Sequence, residues 1–222
     1  MKPQACIFDM DGTLTDTLGY WTDLGPDWLR AHGYTPAPDD NFYDLILRRT
    51  MWEAIEDTRK RYHITEDGEE IAADLWDAAR AIYENRAPLK NGCANFLHRL
   101  HDDGIPLTVV TNNHEDLVSA LLTRCHVRDC FTALFCGGSL HLSKEDTEIY
   151  RLAAQALGTD YADTWIFEDS LTPARVAKGL GCHIAGILNP NDPAQENLQG
   201  LADAADVTFH NYSEAMHWYE AL

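Results

Sequence analysis

From about residue 88 onward the chain alternates helix-like and strand-like segments, and that alternation limits the possible folds more than any other feature. NFLHRLHDDG (95–104) carries apolar residues at helical spacing and ends on glycine, and PLTVVTNN (106–113) is a β-branched apolar run that ends in amides. The pattern repeats as EDLVSALLTRC (115–125) then TALFC (132–136), and DTEIYRLAAQALG (146–158) then TWIFED (164–169). LTPARVAKGLG (171–181) and HIAGIL (183–188) follow, with a short DVTF strand (206–209) and a terminal helix. Strands joined through helices run parallel and are covered on both faces, so the pattern predicts an α/β core. In such open sheets ligands bind beyond the carboxyl ends of the strands. The apolar runs FDMD, VVTNN and FED all place polar groups at that edge.

The first strand runs into FDMDGTLTDT, with three carboxylates at Asp9, Asp11 and Asp16. Alternate residues of a continuing strand share a face, so Asp9 and Asp11 can act on one reacting centre. Phosphoryl transfer needs an attacking oxygen, a cation to offset charge between two anions, and an acid for the leaving oxygen. Gly12 permits the tight turn that brings backbone amides near a phosphate. Two carboxylates alone hold Mg²⁺ poorly, and Glu168 with Asp169 are the obvious further oxygen donors. Thr111 and Asn112 can meet phosphoryl oxygens with a hydroxyl and amides, and Lys144 in LHLSKED can bring positive charge.

Residues 18–87 have a different character. Three helical patterns run through them without a convincing strand, which predicts an all-helical domain inserted after the first strand. The expected division is therefore 1–17 with 88–222 as the core and 18–87 as the insert. Four of the six tryptophans (Trp21, Trp28, Trp52, Trp76) fall in the insert and read mostly as helix-bundle core, with Trp21 the best placed of them to face the site.

Charge excludes several function classes. Lys and Arg total 17 against 36 Asp and Glu, a formal charge of −19. Nucleic acid and anionic membranes both demand a basic face, so neither is an expected partner. A small anionic metabolite remains compatible if a metal and a few cations reverse the field locally. No signal-peptide pattern opens the sequence, and the six cysteines contain no CxxC pair; both features point to a cytoplasmic protein with reduced thiols. The oligomeric state is left open, and a monomer is compatible with the sequence.

FDMDGT, VVTN, a lysine before a helix and FEDS, in this order, resemble the four signature motifs of the haloacid dehalogenase superfamily. The resemblance covers the whole chain, and the helical insert sits where the β-phosphoglucomutase-like subfamily carries its cap. It implies a Rossmann-like parallel core with a helical cap, Asp9 as nucleophile and Asp11 as general acid and base. It further implies that Thr111 holds phosphate with support from Asn112, and that Lys144 neutralises the Asp9–phosphoryl pair. Mg²⁺ would be ligated by Asp9, Asp169 and the Asp11 carbonyl, with Glu168 as a further or water-mediated partner. The proline that commonly follows the lysine is absent here, and Pro173 replaces a usual glycine.

The motif departures narrow the chemistry. Dehalogenases of the family lack the second aspartate of the first motif, and phosphonoacetaldehyde hydrolases replace it with a small residue, so Asp11 argues for phosphate ester chemistry. The expected function is an Mg²⁺-dependent phosphatase acting on a small phosphorylated metabolite, a sugar phosphate above all, through an aspartyl-phosphate. A phosphosugar mutase is the alternative, against which stands Trp21 at a position where the mutases have histidine. Within the insert, Arg48 or Arg49 of LRRT can bind a second anionic or hydroxyl group of the substrate, whereas Arg59, Lys60 and Arg61 read as a solvated face. GGS (137–139) reads as a turn rather than a phosphate loop.

Overall fold

The computed structural model describes residues 2–38, 40, 51–189 and 195–222. Arg48 and Arg49 lie outside them. Contacts divide the chain into two compact units, Met1–Asp16 with Ala87–Leu222, and Thr17–Arg86.

The Thr17–Arg86 unit is helical, with α1 (Leu18–Ala31), α2 (Met51–Tyr62) and α3 (Gly68–Asn85). Helix α3 starts where Asp67 caps it, its side chain accepting the Glu69 N–H at 2.7 Å, and Glu69 and Glu70 sit in the dipole-favoured first turn. Its buried stripe, Ile71, Leu75, Ala79 and Ile82, keeps helical spacing. Trp28 packs into this unit and donates its indole N–H to Asp74 at 3.0 Å. Trp21 is half-buried, edge-on to Trp76 and Tyr83, and donates its own N–H to the Tyr83 hydroxyl at 2.8 Å. The expectation of core tryptophans fails at Trp52, which is 50% exposed. It occupies the second position of α2, on a face that its neighbour Glu53 also turns to solvent.

The second unit holds a six-stranded sheet of β1 (Ala5–Phe8), β2 (Leu107–Thr111), β3 (Phe131–Cys136), β4 (Thr164–Glu168), β5 (His183–Ile187) and β6 (Val207–Phe209). The order is β3-β2-β1-β4-β5-β6 and every pairing is parallel, the α/β architecture the alternation predicts. Strands β1, β2 and β4 are buried at every position, as apolar strands covered on both faces must be. Phe8 stacks on Phe167 with centroids 4.5 Å apart and meets Phe96 edge-on, which ties the two central strands to the helix below them. Helices α4 (Cys93–Asp102), α5 (Glu115–Arg124), α6 (Gly137–Leu140), α7 (Thr147–Leu157), α8 (Leu171–Gly179), α9 (Gln195–Ala204) and α10 (Tyr212–Glu220) complete the unit.

Two elements differ from the sequence-based expectation. GGS is not a plain turn: it opens α6, a single helical turn closed by Leu142 N–H to Gly137 O at 3.1 Å. A Cβ on Gly137 would lie 2.3 Å from the Leu142 carbonyl oxygen, so only glycine lets the chain double back there. Gly137→Ala is expected to lower the melting temperature by several degrees and to cut activity, because the displaced backbone leads directly to Lys144; unchanged melting and turnover would refute this. The second difference is α9, whose QENLQGLADA pattern is weakened by Gly200; Leu201 is fully buried on its apolar face.

The strand-end segment Leu14–Asp16 pairs with Pro88–Lys90. Lys90 N–H donates to Leu14 O at 2.9 Å, Asp16 N–H to Pro88 O at 3.2 Å, and Thr15 bridges Leu89 in antiparallel sense.

Candidate active site

Strand order decides what meets at the sheet edge. Strand β1 lies between β2 and β4, so the residues following these three strands converge. Asp9 N–H donates to Phe167 O at 3.0 Å, which carries the β1–β4 pairing one residue past β1. The chain then turns back. Gly12 takes a left-handed φ of 90° and donates to Thr15 O, while both the amide and the hydroxyl of Thr15 donate to Met10 O. Tyr212 donates its buried hydroxyl to Thr13 O at 3.2 Å and fixes the loop from below.

Lys144 reaches this edge from the segment after α6. Its ammonium lies 2.7 Å from Asp9 Oδ1 and 3.0 and 3.2 Å from the two oxygens of Glu168. All three side chains are buried. Burial pulls the lysine down, but Asp9 and Glu168 more than offset this and hold it well above its ordinary range. Asp9 is pushed up to about 6, first by burial and then by the charge of Glu168, against the pull of Lys144. Asp169 is raised well above the carboxylate range for the same first reason, with Asp9 and Glu168 adding repulsion.

Asp9, Glu168 and Asp169 each offer an oxygen within 4.8 Å of the others. Their three negative charges face the single positive charge of Lys144, so two remain uncompensated when all are ionised. Among the described residues Asp9 Oδ2 is buried without a hydrogen-bond partner, an acceptor open to a group outside the polypeptide. An all-oxygen donor set with two charges to neutralise fits Mg²⁺.

The remaining predicted residues sort clearly. Thr111 is buried and its Oγ1 accepts the Asn113 N–H at 3.2 Å, so its own proton can still be donated. Asn112 uses its side-chain oxygen to accept the Lys144 backbone N–H at 2.9 Å, binding the lysine segment to the end of β2. The Asp11 carboxylate stands apart from the three-carboxylate group and accepts a 2.9 Å hydrogen bond from the Asn113 amide. Asp16 is exposed and lies 3.6 Å from Lys90. Trp21 belongs to the helical unit, with the contacts described above.

Sequence reasoning missed Thr13, Asn113 and Asn197. Thr13 donates to Asp169 Oδ1 at 3.2 Å, and Asn197 holds the backbone around Asp169. Gly138 N–H donates to the carbonyls of Asn112 and Asn113, and Ser139 Oγ accepts the Glu115 N–H, so α6 braces the β2 end. The GGS motif was the signal for this brace.

Comparison with known proteins bears on this arrangement. A model of the haloacid dehalogenase-like hydrolases matches residues 3–181. A phosphoglycolate phosphatase of Neisseria meningitidis is 28% identical over 195 residues, 83% of this chain and 80% of its own length. An N-acetylmuramic acid 6-phosphate phosphatase of Pseudomonas aeruginosa is 25% identical, over 91% of this chain and 92% of its own. Among solved structures, CbbY from Rhodobacter sphaeroides in complex with phosphate superposes with a TM-score of 0.75 at 23% identity, covering 96% of both chains. A β-phosphoglucomutase from Clostridium difficile gives 0.71 at 17% identity, covering 99% of this chain and 98% of its own. At those identities the two structures speak for the fold alone. The matched residues run from before β1 to the end of α8 and so include every side chain of the carboxylate–lysine group: the chain belongs to the haloacid dehalogenase-like hydrolases.

Proposed function

We propose that this hydrolase is an Mg²⁺-dependent phosphatase of small phosphorylated metabolites, sugar phosphates foremost, working through an aspartyl-phosphate on Asp9. The observation that carries the reading is Asp9 itself: one buried oxygen is held by Lys144 and the other has no partner among the described residues. The names of the two phosphatase relatives support the substrate class.

In this reading an Asp9 oxygen attacks phosphorus while the bond to the leaving oxygen breaks, and the Asp11 carboxyl gives its proton to that oxygen. Water then attacks the phosphoryl group, Asp11 takes the proton from the water, and the Asp9–phosphorus bond breaks. Thr111 donates its hydroxyl to a phosphoryl oxygen, and Lys144 offsets the charge of the Asp9–phosphoryl pair. Asp9, Asp169 and the Asp11 carbonyl would hold Mg²⁺, with Glu168 beside them. When bound it supplies charge neutralisation between carboxylate and phosphate. Thr17–Arg86 serves as the cap that selects substrate, with Trp21, Arg48 and Arg49 as its contacts. Six unpaired cysteines support a reducing cytoplasm, and the charge of −19 supports a small-molecule partner over nucleic acid or membrane. No helix among the described residues is long and apolar enough to cross a membrane.

A panel of phosphomonoesters tests the proposal. Free phosphate is expected with Mg²⁺ and not with EDTA, sugar phosphates being the best substrates. Isomerised hexose phosphate with little free phosphate would replace it with the mutase reading, and no turnover of any ester would reject it.

A further inference from the structure

The loop that presents Asp169 is tied down on two sides. Inside the site, Glu168 Oε1 accepts the N–H groups of Asp169 and Ser170 at 3.1 and 3.0 Å. The next polar groups of that backbone, the Asp169 carbonyl and the Leu171 N–H, turn away from the carboxylates. One side chain takes both: Asn197 Nδ2 donates to Asp169 O at 3.1 Å, and Asn197 Oδ1 accepts Leu171 N–H at 2.8 Å. An amide is the group that can donate and accept from one planar end, which is what a carbonyl and an N–H two residues apart require.

Asn197 belongs to α9, and one turn later α9 carries Gly200. A Cβ there would lie 2.5 Å from Leu171 Cδ2, so the missing side chain lets the helix approach the loop closely enough for the amide to reach. Residues 197 and 200 share a helix face, and both address the same three-residue segment, one by hydrogen bonding and one by leaving room. The Asp169 carboxylate is fixed separately by Thr13. Asp169 therefore has its side chain set from the first loop, and its backbone set from Glu168 and from α9.

We propose that Asn197 is a positioning residue for the metal site, holding the Asp169–Leu171 backbone so that the Asp169 carboxylate meets Asp9 at the spacing Mg²⁺ needs. The inference rests on the Mg²⁺ reading above. Outer partners that orient metal ligands commonly change affinity by roughly 10–100-fold when removed. The two hydrogen bonds that carry the argument both go from Asn197 to backbone, so its loss is expected to act on the metal through the loop it holds.

The test is Mg²⁺ titration by calorimetry, without substrate, on the parent protein and on Asn197→Ala, Asn197→Asp and Asp169→Asn. Asn197→Ala is expected to weaken Mg²⁺ binding about 10-fold, with kcat at saturating Mg²⁺ within about threefold of the parent. Asn197→Asp keeps the acceptor for Leu171 but sets a carboxylate against the Asp169 carbonyl, so it must weaken binding as well. It also serves if the alanine variant does not fold. Unchanged Mg²⁺ affinity in a folded Asn197 variant, with binding abolished by Asp169→Asn, overturns this inference and leaves the metal site standing. No Mg²⁺ binding by the parent, or full binding by Asp169→Asn, overturns the metal site and this inference with it.

Discussion

Asp9→Asn is expected to lower phosphatase turnover by roughly 10⁴-fold or more, because in the proposed mechanism the amide cannot form the phosphoenzyme. The fold should survive. The amide oxygen can face the Lys144 ammonium, 2.7 Å from where Oδ1 now lies, and the NH₂ then occupies the position of the unpartnered Oδ2. The metal-free variant should melt higher than the parent, and the gap should depend on pH. Asp9 has a folded-state value of about 6 against an ordinary 3.8, so the folded state favours its protonated form. The stability from that proton is complete below the ordinary value and is lost as pH rises through about 6. The variant's advantage in EDTA should therefore be small near pH 4 and larger at pH 7.5. Steady-state assays and paired melts measure both effects. Retained turnover would remove Asp9 as nucleophile, and a pH-independent gap would contradict the burial account of its carboxyl.

Lys144→Met is the second large effect, and its sign on stability is opposite. The substitution keeps a long flexible side chain but leaves Asp9, Glu168 and Asp169 facing one another without a cation. Breaking a buried pair by removing one partner costs about 3–5 kcal/mol, much of which should reappear in Mg²⁺ because the metal supplies the missing charge. Turnover should still fall by roughly 10²–10³-fold, as when one preorganised charge or donor is removed from a transition state. Lys144→Arg is not expected to rescue it, since a planar fork cannot take the place of a compact ammonium held between two carboxylates. Urea unfolding with and without Mg²⁺, beside the activity assay, separates the two roles. A variant as stable as the parent in EDTA would show that the three carboxylates do not need the lysine.

Much of this site is legible in the sequence, and for physical reasons. Asp9, Thr111 and Glu168 sit at the ends of apolar runs, and parallel topology converts successive strand ends into neighbours. The alternation of periods, which gives that topology, is a local signal repeated along 130 residues or so. Lys144 is different. No periodicity marks it, and what singles it out is the site's need for a positive charge together with the resemblance to a known motif set. Asn197 has no local signature: its partners are 26 and 28 residues away in sequence, and its helix is hard to read because Gly200, the residue that makes the contact possible, also weakens the pattern. The misread GGS segment follows the same logic. Its glycines suggest a turn, but they are there because Gly137 lies against the Leu142 carbonyl and Gly138 against the His114 ring and Asn113 carbonyl. Trp52 shows the converse error, since residue type predicts burial only on average and helix phase placed it outward.

The short antiparallel pairing of Leu14–Asp16 with Pro88–Lys90 has a consequence for how such a protein can change over time. The two chain ends that frame the helical unit are already hydrogen-bonded to each other inside the α/β unit. That unit closes its own perimeter at this seam, whatever is spliced into it. Replacement, enlargement or loss of the helical segment is expected to leave the register of β1 unaltered, because these hydrogen bonds lie within the α/β unit. Under the proposed cap role, the chemistry stays with the α/β unit and substrate choice varies with the segment grafted at the seam.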